Sequence, residues 1–191
     1  MRKLFAAAVL CAGIFGTLCG CSSGKLPFSD GKQTDFDTGY TVTADITCGD
    51  LEAKADITRH GKDDWEFSFT EPKELMGLNI TVDAENITAS LGDLSVSAQP
   101  KGVYSSLPKI ISYAVDKLPE LTQSMTESEG VLTAQSEYEG EKVVITAAKD
   151  TGALISLKCP YHKLSVRFSN QERVQPSPES NPADEVKIIE E

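Results

Sequence analysis

The sequence has little with which to do chemistry. Its 191 residues include two histidines and one tryptophan. There is no Cys-x-x-Cys pair and no phosphate-binding loop of the Gly-x-x-x-x-Gly-Lys type. His60 precedes Gly61, and His162 lies in Pro160-Tyr161-His162-Lys163, so both read as turn residues. Neither has a nucleophile or carboxylate at motif spacing. No Cys/His cluster has zinc spacing and no acidic loop has calcium spacing. The expectation is a non-enzyme with no catalytic residue, no metal and no cofactor. Positive charge is also scarce, with 18 Lys and Arg against 29 Asp and Glu and a formal net charge of −11. Such a surface is repelled by phosphate backbones, so nucleic acid is excluded as a partner.

No apolar run reaches the ~20 residues of a comfortable membrane-crossing helix. A shorter one is present. Arg2-Lys3 is followed by Leu4–Leu18, a stretch without charge, which has the length and flanks of a secretory signal core. It ends in Leu18-Cys19-Gly20-Cys21, which resembles the lipobox of bacterial lipoproteins. The resemblance implies cleavage after Gly20 and acylation of Cys21, with Ser22-Ser23-Gly24 as a tether. The protein is then expected on the cell membrane, held by its N-terminal lipid and facing outside the cytoplasm. The membrane would be a partner through lipid alone.

The remainder divides by composition. Residues 1–20 read as the signal peptide and 21–38 as the lipidated cysteine with a flexible linker. Residues 39–170 read as one folded domain, and the acidic, proline-containing 171–191 as a disordered tail. Inside the domain the hydrophobic period is two. Val42, Ala44, Ile46 and Cys48 alternate with polar residues; after Gly49-Asp50 so do Leu51, Ala53, Ala55 and Ile57. The same pattern recurs through Trp65–Phe69, Met76–Val82, Ile87–Leu91 and Leu94–Ala98. It returns in Leu132–Tyr138, Val143–Ala147, Ala153–Cys159 and Leu164–Phe168. Between the two groups, Leu107, Ile110, Ile111, Ala114, Val115 and Leu118 recur at helical spacing. Ser105-Ser106 would cap this helix, Pro108 suits its first turn, and Pro119 would stop it. The predicted fold is mainly β (α+β): a curved antiparallel sheet of about ten strands, each with one buried face, forming a half-barrel. One amphipathic helix, Ser106–Leu118, packs on the concave face.

This order, with Phe69-Thr70-Glu71-Pro72-Lys73-Glu74-Leu75-Met76-Gly77-Leu78 leading into Asn79-Ile80-Thr81-Val82, resembles the LolA/LolB-like lipoprotein carriers. In that family a phrase of the type Pro, x, x, Leu, x, Gly precedes a strand. The closing pair Thr146–Cys159 and Leu164–Phe168, with Asp150-Thr151-Gly152 in a turn, also suits it. The resemblance implies a half-barrel closed by helices around an apolar cavity. No arginine matches a ligand-site position, so no binding residue carries over and the ligand-binding residues stay unassigned.

Two readings of function remain open at this point. One is a lipoprotein that binds or carries a lipid or other apolar ligand on the concave face. The other is an envelope scaffold that binds a protein partner and has a packed core without a ligand cavity. The inward alanines Ala44, Ala53, Ala55, Ala89, Ala134 and Ala147 leave room for either. Cys48 and Cys159 both fall on the apolar phase, so outside the cytoplasm they are a candidate disulfide, with two separate buried thiols as the alternative. A bridge closing so long a loop would be worth about 4–5 kcal/mol in the chain-entropy model.

Overall fold

The structure is a computed structural model that describes residues 36–99 and 107–174. The signal segment, Cys21, the cap Ser105-Ser106 and most of the acidic tail lie outside the described residues. Among the described residues eleven strands form a single antiparallel sheet. They are β1 (Tyr40–Cys48), β2 (Leu51–Gly61), β3 (Asp64–Glu71), β4 (Leu78–Val82), β5 (Ile87–Leu91) and β6 (Leu94–Ala98), then β7 (Thr126–Ser128), β8 (Val131–Tyr138), β9 (Glu141–Ala148), β10 (Leu154–Cys159) and β11 (Leu164–Arg173). The sheet order is β6-β5-β4-β3-β2-β1-β11-β10-β9-β8-β7. Ten of these strands match the alternating runs. The extra one, β7, has only three residues, too few to show a period of two.

Short turns join most neighbours. At Glu139-Gly140 both residues have positive φ (53° and 82°), the backbone that a two-residue hairpin needs to follow the strands' twist. Among the described residues the one pairing that joins distant ends of the sequence is β1 with β11, which sets these two strands together at the middle of the sheet. β11 continues through Arg173, with Glu172 and Arg173 opposite Thr41 and Tyr40, so the folded domain runs past the expected boundary at residue 170. It also begins earlier, because Phe36 is buried in the core.

The helical connection is two pieces rather than one. Helix α1 covers Leu107–Asp116 and a second short helix, α2, covers Leu118–Leu121, followed by a 3-10 turn at Thr122–Ser124. Pro119 therefore does not stop the helical segment. It sits in the first turn of α2, where its missing N–H is not needed, while the break itself falls at Lys117.

Helix α1 also shows that the sheet is curved. It packs against β4 on one side and against β8 and β9 on the other. In the sheet order β4 and β8 stand seven strand spacings apart, about 33 Å along a flat sheet. A helix of 10 residues is only about 15 Å long. Contact with both wings requires the sheet to curl around it. The apolar stripe of α1 faces into that curl, with Ile110, Ile111, Ala114 and Val115 all buried among the sheet's inner side chains.

Candidate functional site

The hydrogen-bond register lines up the inner-face residues in rows across the sheet. One row runs Val42, Ile57, Phe67, Ile80, Ala89, Val96, from β1 to β6. Burial falls along it. Val42, Ile57 and Phe67 are buried, Ile80 and Ala89 are half-buried, and Val96 is 72% exposed. The shorter row Leu78, Leu91, Leu94 ends the same way, with Leu91 46% and Leu94 74% exposed. The inner face is thus continuous apolar surface that is buried as far as β4 and Ile87 of β5, and exposed from Leu91 onward through β6. This corrects the expectation that every strand buries one face: all five residues of β6 are exposed. Of the six inward alanines, five are buried and Ala89 lies on the half-open wing.

At the far end of the groove the inner face turns polar. Arg59 continues the inward phase of Ala53, Ala55 and Ile57 on β2, and it is fully buried. Its Nε donates to Oδ1 of Asp116 at 2.9 Å, and Nη2 lies 2.9 Å from the same oxygen. Nη1 donates to the backbone carbonyls of Asp37 (2.8 Å) and Thr38 (3.3 Å). The other Asp116 oxygen, Oδ2, accepts from Trp65 Nε1 at 2.9 Å and from the Asp63 backbone N–H at 3.0 Å. The guanidinium also stands over the Trp65 ring, 5.7 Å from its centroid. Asp116 is the last residue of α1, where a negative charge opposes the helix dipole. Arg59 is the compensating charge. The cluster clasps the end of α1 to β2, β3 and the segment leading into β1.

Sequence reasoning missed Arg59 because no arginine matched a ligand-site position. The signal that could have found it was local: a charge on the inward phase of a strand must find a buried partner, and Asp116 beside the apolar stripe was available.

Tyr40 stands opposite Arg59 in the register, with its ring edge-on to Trp65 at 6.1 Å between centroids. Its hydroxyl is buried and has no hydrogen-bond partner among the described residues. Burial pushes this phenol far above its ordinary range. A tyrosine whose folded pKa exceeds its unfolded one stabilises the fold fully below the unfolded value, near pH ~10, and loses that contribution as pH rises beyond it. Tyr40→Phe is therefore expected to be at least as stable as wild type at neutral pH and more resistant to alkali. Thermal melts between pH 7 and 11 check this; a variant that melts lower at pH 7 would show that the hydroxyl has a partner after all.

The other sequence-predicted residues do not converge on this groove. Cys48 and Cys159 are free thiols, not a disulfide. Both stand opposite Leu164, Cys48 from β1 and Cys159 from β10, so β11 lies between them. Two strand spacings put their Cα atoms about 10 Å apart, beyond the ~7 Å a bridge tolerates. The reason is strand order, since the last strand rather than the one before it joins β1. Cys48 Sγ instead donates weakly to the His162 carbonyl at 3.5 Å. His162 lies in the β10–β11 turn, as expected, with its Nε2 buried and unpartnered among the described residues. His60 is on β2 rather than in a turn, exposed and 4.0 Å from Glu66. Among the described residues no three His, Cys, Asp or Glu side chains are placed to hold a metal. Two hollows of about 310 and 440 Å³ open around Asp45 and Thr47, lined mainly by polar and charged residues such as Lys54, Lys158 and Arg167, and unsuited to an apolar guest.

No family model and no curated protein matches the chain. Solved structures do. A conserved protein from Thermus thermophilus aligns over 74% of this chain and 82% of its own, with a TM-score of 0.49 and 10% identity. A LolA superfamily protein from Nitrosomonas europaea aligns over 75% and 89%, with a TM-score of 0.39 and 10% identity. A putative outer membrane lipoprotein-sorting protein domain from Vibrio parahaemolyticus aligns over 74% and 88%, with a TM-score of 0.41 and 10% identity. All three likenesses are partial, with TM-scores below 0.5 and identities of 10%.

Proposed function

We propose that this protein is a lipid-anchored lipoprotein facing outside the cytoplasm, without catalytic activity, that holds an apolar ligand on the inner face of the β4–β6 wing. The observation that supports ligand binding is the decay of burial along the inner-face rows, which leaves Leu91, Leu94 and Val96 exposed beside α1. Contiguous apolar surface of this kind on a soluble domain marks a binding site. Beneath α1 itself the stripe residues are buried, so the guest would lie beside the helix rather than under it. An acyl chain fits this chemistry because the strip is apolar, narrow and open at one side. The filled space beneath α1 favours the second reading, a protein-interaction module with a packed core.

The two readings separate on extraction. The purified full chain, taken into organic solvent, is expected to release a non-covalently held apolar molecule detectable by mass spectrometry. The double variant Leu94→Asp/Val96→Asp should lose it, and because both positions are exposed the domain should still fold. A wild-type protein that releases nothing, or a variant that retains the same molecule, would leave only the interaction module.

A further inference from the structure

The two edges of the sheet are treated differently. The β7 edge has three residues, and its central Glu127 is ion-paired with Lys149 at 2.6 Å. Short length and charge are the usual ways of blocking strand addition. The β6 edge has five residues, Leu94-Ser95-Val96-Ser97-Ala98, without a charge or a proline, and all are exposed. From these features we infer that β6 is an interaction edge and that its partner is the β6 of a second copy, paired antiparallel about a two-fold axis through Val96. The inference concerns the backbone edge and stands independently of any ligand on the inner face.

The register follows from the hairpin. Gly92-Asp93 is a two-residue turn between Leu91 and Leu94, so Leu91 and Leu94 form the hydrogen-bonded pair. By alternation Val96 and Ala98 also direct their backbone groups at β5, and Ser95 and Ser97 direct theirs outward. The Thr88–Ser97 hydroxyl contact of 2.8 Å agrees, because side chains approach most closely at pairs without backbone bonds. A second β6 can then bond only where outward residues meet. Ser95 opposite Ser97 of the second copy, and the reverse, gives two hydrogen-bonded pairs with Val96 facing Val96 between them. Leu94 then faces Ala98, keeping all apolar residues on one side and all serines on the other. Beyond the strand ends, Asp93 would face Gln99 of the second copy, so no like charges oppose each other. In a chain of net charge −11 a contact that sets no acid against another avoids that repulsion. A β6-to-β7 contact, which would propagate into a filament, is disfavoured by the mismatch in length and by Glu127. The closed dimer is what remains.

Val96→Cys tests this in the full chain within its native membrane. At a central pair without backbone bonds the two Cα atoms would lie about 4.5 Å apart, inside the range of a disulfide. Under mild oxidation most Val96→Cys chains are expected to run as a disulfide-linked dimer. Leu94→Cys should give little, since two copies of that residue would be about 13 Å apart along the strands. Adding Ser97→Pro to Val96→Cys should abolish the dimer by removing an outward N–H, a change that the edge of a sheet tolerates in the monomer. Equal cross-linking of Leu94→Cys and Val96→Cys, cross-linking unaffected by Ser97→Pro, or a product joining the chain to a different protein would each overturn the inference.

Discussion

Asp116→Asn is expected to destabilise the domain by about 3–5 kcal/mol, the usual cost of leaving one member of a buried ion pair without its partner. For a domain of this size that corresponds to a fall in melting temperature of about 10–20 °C. Asparagine keeps the shape of the side chain and one acceptor oxygen, but the buried Arg59 guanidinium is left with only the exposed carboxylate of Asp37, 4.0 Å from Nη2, as a counter-charge. The amide nitrogen would also be aimed at one of the donors that Asp116 now accepts from, either the Arg59 fork or Trp65 Nε1 and Asp63 N–H. The loss should appear first at α1, whose end is clasped by this cluster. Trp65, the chain's single tryptophan, reports on it directly through its emission. The double variant Arg59→Met/Asp116→Leu should recover much of the stability, because a buried pair replaced by apolar groups of similar volume is often neutral. If Asp116→Asn melts within ~2 °C of wild type, the clasp is wetter and weaker than its geometry implies.

Cys21→Ser is expected to have the other large effect, on location rather than stability. Each buried acyl methylene contributes about 0.8 kcal/mol of membrane affinity, so a lipoprotein with two or more chains is held essentially permanently. Among the described residues no helix is long and apolar enough to cross a membrane. On the proposed anchoring, the substitution removes the lipid, and the acidic surface is repelled by anionic headgroups. The variant should move to the soluble fraction or accumulate with its signal uncleaved. Cell fractionation with a mass measurement reads both outcomes. A variant of mature mass that stays with the membrane would mean that the protein is held by something other than Cys21.

What the sequence by itself determined is what depends on near neighbours along the chain. The period of two assigned the inward faces of most strands correctly, because alternate side chains of a strand point to opposite sides whatever the strand pairs with. It failed at the start of β10, where a register shift between Leu154 and Ser156 buries Leu154 and exposes Ile155. The hairpin turns followed from Gly and Asp at positions needing unusual backbone angles, and the stripe of α1 from its helical spacing. The three-residue β7 and the position of Pro119 escaped because one residue more or less of pattern carries no period.

What only the tertiary structure decided is what depends on long-range pairing. The junction of β1 with β11 placed Leu164 between Cys48 and Cys159 and so removed the disulfide. No local pattern distinguishes β11 from β10 as the neighbour of β1, since both present the same alternation. The partnership of Arg59 with Asp116 joins residues 57 apart in the chain and arises only when α1 is laid across the curled sheet. The reach of α1 set the rest. A helix of three turns covers a limited width, so the same apolar alternation that is core in β1–β3 becomes exposed surface in β6. Hydrophobic pattern shows which face a residue takes, and the length of the covering element decides whether that face is interior or site.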